Sequence, residues 1–181
     1  MNLIGKKKII IKSKYIYLKT LKTSDYSLRY KNWLNDKHIN KFLEIRHYKH
    51  NKKNIIEFIK TNIESQNSIL FGIFLCKSDI HIGNIRLSNI DINHLTTEIS
   101  YFLGDKDYHN KGITSHAIKL LINFCFKKLK LRKIYAGIYR ENIPSKKTLL
   151  RNGFKKTAHI KNFFILEKKL YSDKLIYELN K

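Results

Sequence analysis

The sequence predicts a mixed α/β domain built on a largely antiparallel sheet flanked by helices. Three observations predict it. Segments of period two recur along the chain and are bounded by turn residues. Stretches of helical period separate them, in the order strand, two helices, three strands, helix, strand, helix, two strands. Hydrophobic residues make up 43% of a chain of 181. That fills one core at a length where folding buries about 70% of the unfolded surface. Residues 1–181 therefore read as a single domain.

The elements follow in order. Tyr15 to Lys19 alternates and is predicted as a strand. Ser24 and Asp25 offer an N-cap for a helix through Trp33 and Leu34. Ile55, Ile56, Ile59 and Ile63 have helical spacing and predict a helix from Lys53 to Ser65. Ile69 to Leu75 is a compact apolar strand, joined through Lys77-Ser78-Asp79 to a second from Ile80 to Leu87. Thr97 to Leu103 alternates, with Glu98, Ser100 and Phe102 on one face and Ile99, Tyr101 and Leu103 on the other. From Gly112 the period turns helical through Ile113, Ala117, Leu120, Leu121 and Phe124. Lys133 to Ile138 is a strand. Pro144 suits the first turn of a helix that Gly153 ends. Phe154 to Leu166 and Ser172 to Leu179 are the last two strands.

The net charge is +23, from 37 basic and 14 acidic residues. Such a surplus raises nucleic acid as a partner. Two features argue against it. Only six of the 37 are Arg, the residue suited to bidentate phosphate and base contacts. Lys also rises together with Ile and Asn along the whole chain, as in an A/T-rich genome, and forms no single basic block. A diffuse Lys surface still draws in anionic ligands. No apolar run approaches the ~20 residues of a membrane helix. The segment from Met1 to Lys14 carries too short an apolar stretch for a signal peptide, so a cytoplasmic protein is expected. Cys76 and Cys125 lie in apolar stretches and are expected as reduced, buried thiols. His47 and His50 do not complete a metal set, and no metal site is expected.

The join from strand to helix, Asp107-Tyr108-His109-Asn110-Lys111-Gly112-Ile113-Thr114-Ser115-His116-Ala117, carries the chemistry. The first amides of a helix lack internal partners and lie at the positive end of its dipole. A pyrophosphate suits both. Gly112 permits close approach, Lys111 adds charge, and Thr114 and Ser115 offer hydroxyls. The loop lacks the early glycine of a Walker A sequence.

Further along come Glu141-Asn142-Ile143-Pro144-Ser145 and Leu149-Leu150-Arg151-Asn152-Gly153-Phe154. Together with the loop they resemble the two signature segments of the GNAT superfamily of N-acetyltransferases. The loop is similar to its Gln/Arg-x-x-Gly-x-Gly/Ala segment, with His109 at the first position and Thr114 at the last. The second part is similar to its Asn-x-x-Ser/Ala helix ending in Gly-Phe. Tyr17-Leu18, Ser24-Asp25-Tyr26, Trp33-Leu34-Asn35-Asp36, Ile82-Gly83-Asn84-Ile85 and Glu98-Ile99-Ser100-Tyr101 resemble the branch containing the ribosomal-protein alanine acetyltransferases. The resemblance implies acetyl-CoA as co-substrate. It implies that the pyrophosphate rests on His109, Asn110, Lys111, Gly112, Ile113, Thr114 and Ser115. It also implies that the backbone of Tyr101, Phe102 and Leu103 aligns the pantetheine like an added strand, and that Asn142 and Ser145 touch the cofactor.

Acetyl transfer needs a neutral amine and a polarised thioester. Glu98 is the carboxylate on the strand leading into the loop and the first candidate base. His94, just upstream, is the second. Many GNAT enzymes carry a tyrosine four residues before the Gly of Gly-Phe, as acid for the leaving sulfur. Leu149 stands there in this chain. A thiol of pKa about 8.5 leaves as thiolate without severe penalty.

Asn40-Lys41-Phe42-Leu43-Glu44-Ile45-Arg46-His47 lies between the first two helices, where the acceptor is expected. It is similar to the same stretch in GNAT enzymes of surface-glycan synthesis, as is Asn89 to His94. Arg46 would pair with a phosphate and Glu44 with a sugar hydroxyl or amine. The leading expectation is an amino sugar on a nucleotide diphosphate. A protein N-terminus or another small amine is the alternative, and a basic RNA-binding protein on the same fold is a third. Monomer and homodimer both stay open.

Overall fold

In the computed structural model, residues 8–167 and 170–181 are described. The first seven residues, part of the N-terminal segment weighed above, lie outside them. The elements are β1 (Ile10–Lys12), β2 (Ile16–Thr20), α1 (Leu28–Asn35), α2 (Lys52–Glu64), β3 (Ile69–Leu75), β4 (His81–Asp91), β5 (Thr96–Leu103), α3 (Ile113–Lys127), β6 (Lys133–Tyr139), α4 (Ile143–Arg151), β7 (Lys155–Glu167) and β8 (Leu170–Asn180). They form one eight-stranded sheet in the order β1-β2-β3-β4-β5-β6-β8-β7. Every neighbouring pair is antiparallel except β5 and β6. The expected mixed, largely antiparallel sheet with flanking helices is what forms.

The sheet buries two clusters. On one face Ile16, Leu18, Phe71, Ile85 and Ile99 meet Ala117, Ile118, Leu121 and Cys125 of α3 and Leu149 of α4. On the other, Leu21, Leu70 and Phe74 meet Tyr30, Trp33 and Leu34 of α1 and Ile55 and Ile59 of α2. β3 contributes to both, which is why Ile69 to Leu75 reads as an unbroken apolar run. The alternation read in β5 holds. Ile99, Tyr101 and Leu103 pack with the first cluster and Phe102 with the second.

Three elements depart from the sequence expectation. β1 was not expected; three residues are too few for a period, and pairing with β2 creates the strand. α1 starts later than the Ser24-Asp25 cap implied. The Asp25 carboxylate turns back to the Lys22 amide (2.8 Å) and the Lys19 ammonium (2.9 Å), closing a short 3-10 turn of its own. Ser27 then caps α1, accepting from the Tyr30 amide at 3.1 Å. β4 runs past the apolar stretch to Asp91 because polar Ser88 and Asp91 still pair with Glu98 and Thr96. Both cysteines are free. Cys125 is buried as expected, whereas Cys76 is only half-buried. Among the described residues no helix is long and apolar enough to cross a membrane.

β5 hands over to the loop before α3 at Gly104, which lies flat on the Trp33 indole. A Cβ there would sit 2.1 Å from Trp33 Cδ2. Arg29–Asp105 and Lys106–Asp36 (2.6 Å) ion pairs fasten the same junction to α1. Gly104→Ala is expected to destabilise the fold by about 1–3 kcal/mol, the usual cost of overpacking. A urea midpoint equal to the parent's would show that Trp33 does not seal this junction.

Candidate active site

β5 and β6 pair over three residues only, Thr96↔Lys133 to Glu98↔Tyr135. Beyond them β5 continues to Leu103 and β6 to Tyr139, and the two strands part. The opposite edge of β5 stays bonded to β4 as far as Leu103. The edge of Ile99 to Leu103 that faces β6 therefore borders a gap within the sheet. Tyr101 leans from this segment toward α4, its hydroxyl donating to the Ser145 carbonyl at 3.5 Å. Burial pushes its phenol up to about 12, so it stays neutral at ordinary pH. His109 Nε2 lies 2.9 Å from the Leu103 carbonyl and, in the tautomer protonated there, donates to it. The residue that stands in place of Gln or Arg thus holds the loop to the strand end.

The loop presents unpaired amides. Asn110 and Gly112 take positive φ of 59° and 74°. Gly112 is the N-cap of α3 and has no side chain to cap the helix. The first bond into the helix runs from the His116 amide to the Gly112 carbonyl, 3.0 Å. Among the described residues the amides from Lys111 to Ser115 donate to no protein acceptor. A Cβ on Gly112 would meet nothing within 4 Å beyond the adjoining residues, so the space beside the start of α3 is open. Uncapped amides, the helix dipole and open space suit a pyrophosphate. Ser115 Oγ accepts from Asn152 Nδ2 at 2.8 Å, which leaves its proton free to point outward. Asn142 caps α4, accepting from the Ser145 amide at 3.2 Å. Its NH₂ group donates to no acceptor among the described residues.

A cavity of about 770 Å³ lies on the α1/α2 face of the sheet and reaches the gap. Glu98, Ser100, Tyr101 and Phe102 of β5 line it, and Gly137 and Tyr139 of β6 close the other side. Glu98 Oε2 accepts from Asn89 Nδ2 at 3.1 Å. His94 is not among the lining residues. It sits in the β4–β5 turn, its amide held by Asp91 Oδ1 at 2.8 Å and its carbonyl by Arg132 Nε at 3.0 Å. Glu98 thus lines the cavity, the loop is tied to the Leu103 end of β5, and His94 is not among the lining residues.

Glu44 and Arg46 form a short 3-10 turn and meet at Tyr139. The Tyr139 hydroxyl donates to Glu44 and accepts from Arg46 Nη1 at 2.7 Å. Burial, then the Glu44 hydrogen bond and charge, push Tyr139 up to about 12, with Arg46 opposing. Arg46 also donates to the Lys41 carbonyl (3.0 Å) and the Ile165 carbonyl (2.6 Å). Its fork is engaged within the protein and fastens this turn to β6 and β7. Glu44 lines the cavity; Arg46 does not. Phe164 stacks on Tyr139 with centroids 3.8 Å apart.

Sequence reasoning missed Arg86, Asn84, Phe164 and Lys174, all on the cavity wall. For Arg86 a signal existed: a lone cation between Ile85 and Leu87 in a buried strand.

The family described as Acetyltransferase (GNAT) domain matches residues 16–155. The chain is 37% identical over 106 residues to the probable N-acetyltransferase YjcK of Bacillus subtilis (strain 168), covering 58% of either protein. The aligned part is thus under two thirds of that relative's own length. Among solved structures, RimL, a ribosomal L7/L12 alpha-N-protein acetyltransferase in complex with coenzyme A, superposes with a TM-score of 0.83 at 19% identity, covering 95% of this chain and 98% of that one. The spermidine N-acetyltransferase of Vibrio cholerae in complex with CoA and spermine gives 0.82 at 21%, covering 93% and 96%.

Proposed function

The chain belongs to the GNAT acetyltransferase family, and from that premise we propose that it transfers acetyl from acetyl-CoA to a primary amine, that of a nucleotide-linked amino sugar. One observation carries the reading: Glu98 lines the cavity that reaches the unpaired stretch of β5, and His109 ties the uncapped loop before α3 to the Leu103 end of that stretch. The residues present fit acetyl-CoA. The amides of Lys111 to Ser115 would hold the pyrophosphate, with the ring of His109 fixing the loop beneath them. The free edge of β5 from Tyr101 would run beside the pantetheine, and Asn142 Nδ2 and the Ser145 region would flank it. When bound, acetyl-CoA supplies an acyl group activated as a thioester.

The chain supplies the rest. Glu98 accepts the proton that the amine must lose, directly or through one water. Phe102, Tyr139 and Phe164 give the cavity an apolar wall. Glu44, Tyr139 and Arg46 hold one another and shape the acceptor end.

The cavity chemistry favours an anionic acceptor with a stackable ring. Arg86, Lys49 and Lys174 face Glu44 and Glu98 within it, and Glu44 is already bonded to Tyr139. The surface charge of +23 repels polyamines and basic peptides. An acetyl-CoA consumption screen tests this across uridine-diphosphate-linked amino sugars, free amino sugars, N-terminal peptides and polyamines. The expected order puts the nucleotide-linked sugar first and the free sugar far behind, since the nucleotide supplies anchoring contacts. Faster acetylation of a peptide or polyamine would overturn the acceptor. No consumption on any amine, with RNA binding of steep salt dependence, would overturn the enzyme.

A further inference from the structure

Arg86 lies in the middle of β4, and alternation turns it to the cavity side together with Asn84. Its register partner on β5 is Ser100, with Glu98 the next residue on that face. Among the described residues no hydrogen bond or ion pair reaches its guanidinium, and Nε is buried without a partner. Asn84 beside it is bonded through Oδ1, 2.7 Å from His81 Nε2, and its buried Nδ2 lies toward the Tyr30 hydroxyl without closing a full hydrogen bond. The guanidinium carbon lies over the Phe58 ring, 5.5 Å from its centroid. Burial pulls the Arg86 pKa down and the nearby Glu98 charge holds it up, yet the two do not close into an ion pair. A buried guanidinium donor without a partner is costly to keep unless a ligand satisfies it. A planar fork beside a carboxylate matches a ligand with an oxyanion on one part and an amine on another.

We infer that Arg86, with Asn84 beside it, binds a phosphate of the acceptor and so sets the acceptor amine at Glu98. The inference rests on the acceptor reading of this cavity. It moves the phosphate contact from Arg46, whose fork is engaged with Tyr139 and Ile165, to the guanidinium that is free. Arg86 is thereby a specificity-determining residue that selects phosphate-bearing amines over simple ones.

The test is calorimetry with the cofactor loop saturated by CoA, so that a nucleotide finds only the cavity. UDP and UDP-glucosamine are the probes, with free glucosamine as the phosphate-free reference. Arg86→Met should weaken both phosphate probes by about 10- to 100-fold, the scale of a lost charge-assisted contact. Arg86→Lys, which keeps the charge without the fork, should fall between. CoA affinity, titrated separately, reports that each variant is folded. Should Arg86→Met fail to fold, Arg86→Lys decides alone, with weakening expected. Equal UDP affinity in parent and variant overturns the inference, as does a parent that binds neither phosphate probe. Acetyl-CoA consumption by the parent on the amine panel is measured apart. A parent that binds UDP through Arg86 yet acetylates nothing would sink the enzymatic reading and leave this site standing.

Discussion

Gly112→Val is expected to lower acetyl-CoA affinity by about 100-fold or more. Two effects act together. The backbone at Gly112 has φ of 74°, which a β-branched residue adopts only with strain. The new side chain would also enter open space at the start of α3, where a Cβ meets no atom within 4 Å beyond the adjoining residues. Hydrogen bonds from those amides to a charged phosphate are worth about 1.5–3 kcal/mol each, so losing two reaches the hundredfold scale. Calorimetry with the variant checks it, and Gly112→Ala separates backbone strain from bulk. A folded Gly112→Val protein with parental affinity would remove the pyrophosphate from this loop.

Glu98→Gln should cut turnover by about 10²–10⁴, the range for loss of a general base. Acetyl-CoA affinity should hardly move, because Glu98 faces the acceptor cavity and lies outside the loop. Gln keeps the shape and can still meet Asn89, so the loss would report proton transfer rather than packing. Steady-state rates at saturating acetyl-CoA, with affinity measured separately, make the comparison. A variant turning over at the parental rate would end the role given to Glu98 and leave the proton to solvent.

Much of this arrangement was legible in the sequence because it follows from short-range rules. The two faces of β5 came from strict alternation, and alternation is what puts Glu98 on the cavity side and Ile99 in the core. The end of α4 was marked by Gly153, which does take a left-handed φ of 85°. What stayed hidden depends on contacts between distant segments. Nothing local says that the Arg46 fork would be claimed by a tyrosine 93 positions later, or that Arg86 would have no claimant. His94 looked close to Glu98 in sequence, but Asp91 fixes its backbone in a turn at the strand end, away from the cavity. Ser24 and Ser27 are equally good caps on paper. The choice between them was made by Asp25, which folds back on Lys22.

The three-residue pairing of β5 with β6 has a consequence for the protein as a folded object. A strand edge without a neighbour is ordinarily a hazard at the rim of a sheet, where another chain can add to it. Here such an edge is placed in the middle of the sheet, where β4 and β6 flank β5 and a cavity opens on one face. A strand-like ligand that completes it binds the native state and not the unfolded chain. Resistance to unfolding then rises with ligand supply as RT ln(1 + [L]/Kd), about 2.7 kcal/mol at a hundredfold excess over Kd. The lifetime of the protein in a cell would thus track the concentration of the ligand that fills the gap, and a depleted supply would lower its abundance as well as its rate.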